Sequence, residues 1–126
     1  MITLKRAYDT ASRSDGARFL VERLWPRGVS KDALRLDTWF KDVAPSAGLR
    51  TWYGHNPARW TEFRRRYVRE LDRRPDAWAP IAAAAKRGTV TFVYAARDTE
   101  RNSAIVLREY VLAKLGRPAR PRKPAK

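Results

Sequence analysis

A chain of 126 residues is the size of one domain, and 44% apolar composition with five Trp, five Tyr and four Phe is enough to build a buried core. Cysteine is absent and histidine occurs once, which excludes disulfides, thiol chemistry, iron–sulfur clusters and Cys/His zinc sites. Basic residues number 28 against 13 acidic ones, a formal net charge of +15 that points to an anionic partner such as phosphate or nucleic acid. No apolar run approaches the ~20 residues of a membrane span. The first residues also lack the apolar stretch of a signal peptide, so the expected location is the cytoplasm.

In chain order, residues 2–8 alternate around Ile2, Leu4 and Tyr8 and predict a short strand. Residues 10–16 are polar and turn-rich, a loop. Residues 18–22 form a second apolar run of strand length. Pro26 then restricts Trp25 to extended geometry, and Gly28 marks a turn. Ser30 is placed to cap a helical turn over 31–34, and 37–43 read as a short helix stopped by Pro45. Ser46 caps another short helix through Tyr53, ended by Gly54.

Asn56 and Pro57 are a good N-cap and first helical residue. Trp60, Phe63, Tyr67 and Leu71 follow at spacings of 3, 4 and 4, which puts them on one helix face. Arginines crowd the other face, with Glu62–Arg66 and Glu70–Arg74 as expected i,i+4 pairs. Pro75 breaks this helix and starts another, whose stripe is Trp78, Ile81, Ala82 and Ala85 and whose stop is Gly88. Residues 89–95 are β-branched and aromatic, the clearest strand in the chain. Residues 103–115 predict a last helix, apolar over a wide arc.

The expected fold is therefore a single compact α/β domain over 1–116, with a small, mainly parallel sheet flanked by helices. Residues 117–126 carry five positive charges and no acid among prolines, a composition that predicts a disordered tail.

Ligands of parallel sheets bind beyond the carboxyl ends of the strands. Two polar segments leave predicted strands here, 23–28 and 97–102. Arg23, Arg27 and Arg97, with Lys41, are the candidate anion-binding residues, since guanidinium groups pair well with phosphate. Trp25, Tyr94 and Asn102 are candidate pocket wall. The competing reading is structural ion pairing of these arginines with Glu22, Asp42 or Asp98. His55 and Asp98 are the candidate acid–base residues. A histidine just before a helix start equally serves as a local cap. Asp98 with Asn102 offers too few oxygen ligands for a cation site, so no metal and no cofactor is expected. The arginine-rich helix face fits either a nucleic-acid backbone or a solvated surface. No phosphate-binding glycine loop, nucleophile elbow or metalloprotease motif is present.

The stretch Leu20-Val21-Glu22-Arg23-Leu24-Trp25-Pro26-Arg27-Gly28-Val29-Ser30-Lys31 resembles the signature of the YeaO-like proteins of the domain-of-unknown-function 488 family. The likeness continues through Trp39-Phe40-Lys41-Asp42-Val43-Ala44-Pro45-Ser46, residues 49–57, Phe63-Arg64-Arg65-Arg66-Tyr67 and residues 90–107. It covers about residues 2–115 and leaves out the tail. The resemblance implies a compact α/β domain in a bacterial cytoplasm, with no settled activity. It marks Gly54, His55, Tyr94, Asp98 and Asn102 as motif positions, together with Lys41, Asp42 and the 23–28 segment. The family commonly has His before the Asn of the last motif, where this chain has Arg101. That departure disfavours shared acid–base chemistry and favours anion binding. The functional expectation is a phosphate- or nucleotide-binding crevice, with a nucleic-acid-binding accessory domain as the alternative. The sequence leaves the oligomeric state open.

Overall fold

The most strand-prone segment of the chain becomes the interior of a parallel sheet. A computed structural model describes residues 1–116; the predicted disordered tail, 117–126, lies outside the described residues. The strands are β1 (Ile2–Arg6), β2 (Ala17–Leu20), β3 (Thr38–Trp39) and β4 (Val90–Tyr94). They form one sheet in the order β1-β4-β2-β3, and every pairing is parallel. β4 pairs on both sides, with Phe92 opposite Leu4 and Phe19, and all five of its residues are buried. A strand covered on both faces needs apolar side chains pointing both ways, which is what Val90, Phe92, Val93 and Tyr94 supply.

The helices are α1 (Lys31–Leu34), α2 (Ala47–Tyr53), α3 (Trp60–Asp72), α4 (Pro75–Arg87) and α5 (Ser103–Gly116). Phe19, Val21, Phe92 and Tyr94 join the core under α2 to α5, where Phe63, Tyr67, Leu71, Ile81 and Leu107 meet them. Alternation sends Leu20 and Val93 to the opposite face, where Ala7 and Leu34 of α1 make a second, smaller core with Trp25, Val29, Leu36 and Trp39. The helical stripes behave as their spacing predicts: Phe63, Tyr67 and Leu71 of α3, and Ile81, Ala82 and Ala85 of α4, are buried.

Three local expectations are corrected. Residues 37–43 form no helix. Thr38 and Trp39 instead add the edge strand β3, because the Asp37 carboxylate accepts the Arg18 N–H at 2.7 Å and Phe40 N–H donates to the Leu20 carbonyl at 2.8 Å. These long-range bonds outweigh a local helical pattern only a few residues long. The helix after Asn56 opens as a 3-10 turn, Pro57–Arg59, before α3. The Glu70–Arg74 pair is replaced by other partners. Glu70 accepts from the Ser46 N–H at 2.8 Å and hydroxyl at 2.6 Å, fixing the start of α2, while Arg74 donates to the Asp42 carbonyl at 2.9 Å. Glu62–Arg66 forms as expected, at 2.9 Å.

At the amino ends of the strands, Asp15 is buried and receives Arg18 Nη1 at 2.6 Å and Lys5 Nζ at 3.0 Å. Gly16 follows at φ 65°, where a Cβ would lie 2.2 Å from the Thr89 carbonyl oxygen. The loop therefore docks on the sheet only through a glycine.

Candidate functional site

The carboxyl ends of β2 and β4 are neighbours, and the chain leaves them in opposite directions. After β2 it runs to β3, at one edge of the sheet. After β4 it enters α5, which packs on β4 and on β1 at the other edge. Such a divergence opens a crevice at the carboxyl edge of a parallel sheet. Here the crevice encloses about 440 Å³. Glu22, Arg23 and Leu24 line it from the exit of β2, and Ala95 and Ala96 from the exit of β4. Arg101, Asn102 and Ser103 enter at the start of α5. Arg50, Thr51, Tyr53 and His55 come from α2 and its end. Ala44, Pro45 and Phe63 complete the wall.

Glu22 joins the two strand exits. Its carbonyl accepts the Trp39 indole N–H at 2.6 Å, and its Oε2 accepts the Ala95 N–H at 3.3 Å. Burial pushes its carboxyl pKa up; the Ala95 N–H and the positive fields of Arg50 and His55 oppose that rise. Arg23 is half-buried, and its Nε is shut off from water with no acceptor among the described residues. Arg50 lies in the last turn of α2, which closes on Gly54 at φ 53°. His55 continues in the left-handed region at φ 56°, a costly conformation for a residue with a Cβ, and is exposed at the crevice. Its ring centroid is 6.2 Å from that of Tyr53.

Asp98 has a different job. Its Oδ1 accepts the Glu100 and Arg101 N–H groups, each at 2.9 Å, which holds its carboxyl below the usual range. Its Oδ2 lies 3.3 Å from Arg101 Nε. Its carbonyl accepts Asn102 Nδ2 at 2.9 Å, and Asn102 Oδ1 in turn accepts the Ile105 N–H at 3.0 Å, capping α5.

Of the residues nominated from sequence, Arg23, His55 and Asn102 meet at the crevice. Tyr94 is buried in the main core beside Asn102, and burial raises the pKa of its hydroxyl. Asp98 is outside the lining and supports Arg101 from behind. Arg97 is exposed in the turn after β4 and also outside it. Arg27, Lys41 and Trp25 belong elsewhere. Trp25 donates to the Val29 carbonyl at 2.6 Å and meets Trp39 edge-on at 5.4 Å, in the smaller core. Lys41 Nζ lies 4.2 Å over the Trp39 ring, and the Arg27 carbonyl accepts the Tyr8 hydroxyl at 3.2 Å. Among the described residues neither Arg23 nor Arg27 forms the ion pair with Asp42 or Asp98 that the structural reading needed.

Sequence reasoning passed over Glu22, Arg50, Tyr53 and Arg101 as lining residues. Glu22 had a signal, being an acid at the exit of a predicted parallel strand. Arg101 had one in its departure from the family motif. Arg50 had none, because only the docking of α2 brings it there. Among the described residues no group of three or more His, Asp or Glu is placed to hold a metal ion, and no helix is long and apolar enough to cross a membrane.

The model of the family DUF488-N3i, described as the inactive DUF488-N3 subclade, matches residues 1–126. The chain belongs to the DUF488 family, among its YeaO-like proteins. It is 40% identical over 110 residues to the uncharacterised protein YeaO of Escherichia coli (strain K12), which covers 87% of this chain and 96% of that one. Uncharacterised proteins Rv3073c of Mycobacterium tuberculosis (strain H37Rv) and Mb3100c of Mycobacterium bovis are each 43% identical over 106 residues, 84% of this chain and 89% of theirs. No solved structure matches this YeaO-like chain.

Proposed function

We propose that this YeaO-like protein binds a small phosphate-bearing molecule in the crevice, in the bacterial cytoplasm, and does not transform it. The observation that carries the reading is the convergence of Arg23, Arg50, Arg101 and His55 on one cavity of about 440 Å³ that holds a single acid. Guanidinium groups match phosphate oxygens in paired hydrogen bonds, and a partly enclosed crevice strengthens each of them. His55 then serves as a ligand to the anion. The acid expected to work with it, Asp98, is committed to capping N–H groups and to Arg101. The description of the matching subclade as inactive agrees with binding without turnover.

Calorimetry with inorganic phosphate, ribose 5-phosphate and AMP tests this. Arg23→Ala and Arg50→Ala should each weaken binding by about tenfold or more, the usual loss for a hydrogen bond to a charged group. Arg27→Ala and Lys41→Ala should leave it unchanged. No binding to wild type, or equal losses from all four changes, overturns the proposal.

A second reading is favoured by the outer surface of α2 and α3. The Arg59 and Arg66 guanidiniums lie 5.2 Å and 4.3 Å from the centroid of the Trp52 ring, beside exposed Arg65 and Arg69. This surface fits a nucleic-acid backbone. The test is short DNA: affinity should fall steeply with salt and weaken in Arg65→Glu/Arg69→Glu and on deletion of 117–126. Unchanged affinity after both changes removes this reading.

A further inference from the structure

The crevice contains one group that a simple phosphate site would do better without. Glu22 is the sole acid among its lining residues, set among Arg23, Arg50 and His55. It makes no ion pair with any of them among the described residues. Among the described residues its one side-chain hydrogen bond is from the Ala95 N–H to Oε2. Oε1 is left open, and it is not among the atoms sealed from water without a partner. So the free protein presents a spare anionic acceptor within an otherwise cationic cavity.

We propose that Glu22 is a specificity-determining residue: it selects phosphate ligands that carry an N–H donor, an ammonium or a nucleobase edge, near the phosphate. This rests on the anion-binding reading above. The arginines and His55 would hold the phosphate, and Glu22 Oε1 would accept from the donor. A purely anionic ligand meets like-charge repulsion from the same carboxylate. Glu22 thus rejects one ligand class while it holds the other, which is how discrimination is built from an attractive and a repulsive element together. The cavity of about 440 Å³ leaves room for both ends of such a ligand.

The two roles predict opposite signs for one substitution. Glu22→Gln keeps a side-chain oxygen to accept the Ala95 N–H, so the strand exits stay joined. It removes the charge. Binding of inorganic phosphate and ethyl phosphate should tighten, by roughly two- to fivefold from the lost repulsion. Binding of phosphoethanolamine or AMP should weaken by about tenfold, from the lost charge-assisted hydrogen bond. A change of the same sign for both classes overturns the proposal while leaving the anion site standing. Failure of inorganic phosphate, ethyl phosphate, phosphoethanolamine and AMP all to bind wild type overturns the anion reading, and this inference with it.

Wild-type selectivity provides a measurement that needs no variant. Phosphoethanolamine should bind at least about tenfold tighter than ethyl phosphate, or AMP tighter than ribose 5-phosphate by a similar factor. The first result identifies an ammonium as the donor and the second a nucleobase. Equal affinities within both pairs overturn the proposal.

Discussion

Asp15→Asn should destabilise the protein more than any surface substitution, and the loss should depend on pH in a defined way. The Asp15 side chain is only 7% exposed and faces Arg18, whose side chain is 4% exposed. Arg18 Nε is already committed to the Leu34 carbonyl at 2.9 Å, and Nη2 has no partner among the described residues. Asparagine would therefore leave a buried guanidinium without its counter-charge, a change that costs ~3–5 kcal/mol. Burial alone would raise the Asp15 pKa. Hydrogen bonds from the Ser12 N–H, Lys5 and Arg18 outweigh it and hold the carboxyl at about 2, against an ordinary value of 3.8. At ~1.4 kcal/mol per pKa unit, the ionised form contributes ~2 kcal/mol. A folded-state pKa below the unfolded one makes that contribution complete above about pH 5. It fades as pH falls from about 4 through about 2. Urea denaturation of wild type and Asp15→Asn should show a gap of ~3 kcal/mol at pH 7, or ~10 °C in Tm. The gap should narrow as pH falls from about 4 through about 2, since the wild-type carboxyl is protonated across that range and both proteins are neutral at this position only below it. A gap under about 1 kcal/mol at pH 7, or one that stays constant down to pH 2, refutes the reasoning.

Gly16→Ala should cost ~3 kcal/mol or more in thermal melts, since its Cβ would meet the Thr89 carbonyl oxygen at 2.2 Å. Gly28→Ala, at φ 77° but with nothing within 4 Å, should cost only ~1 kcal/mol. Tyr67→Phe removes the hydroxyl that donates to the buried Val43 carbonyl at 2.7 Å, and should lower stability by ~1–2 kcal/mol by urea titration while leaving phosphate binding intact.

The parts of the fold legible in sequence are those specified by local pattern. Five consecutive strand-prone residues mark β4, and the 3-4-4 spacing from Trp60 to Leu71 marks α3. β3 was illegible because it is two residues long and exists through bonds to Arg18 and Leu20, nearly twenty positions away. The same distinction divides the site. The strand exits point to 23–28 and 97–102 and the helix start to His55, and of these Arg23, Asn102 and His55 line the crevice. Trp25, Arg27 and Lys41 lie away from it because the chain after Arg23 folds back over the opposite face, where the Trp25 indole closes the loop on Val29. Which face a loop covers is decided by tertiary packing, and four residues of separation between Arg23 and Arg27 carry no information about it.

Net charge locates function only once pairing is considered. The arginines of α3 are numerous but largely occupied. Arg65 and Arg66 share Glu62, and Arg64 pairs with Glu109; Arg74, just beyond the helix, binds the Asp42 carbonyl. An anion arriving there competes with existing partners and with bulk water, so each contact adds little. Arg23 is in the opposite position. It is half withdrawn from water, its Nε has lost hydration without gaining an acceptor among the described residues, and the acid next to it in sequence accepts from the Ala95 N–H instead. A cation already desolvated gives up less on binding an anion than a hydrated one. The crevice therefore outranks the helix face as the place where a specific anion would be held, although the helix face carries more charge.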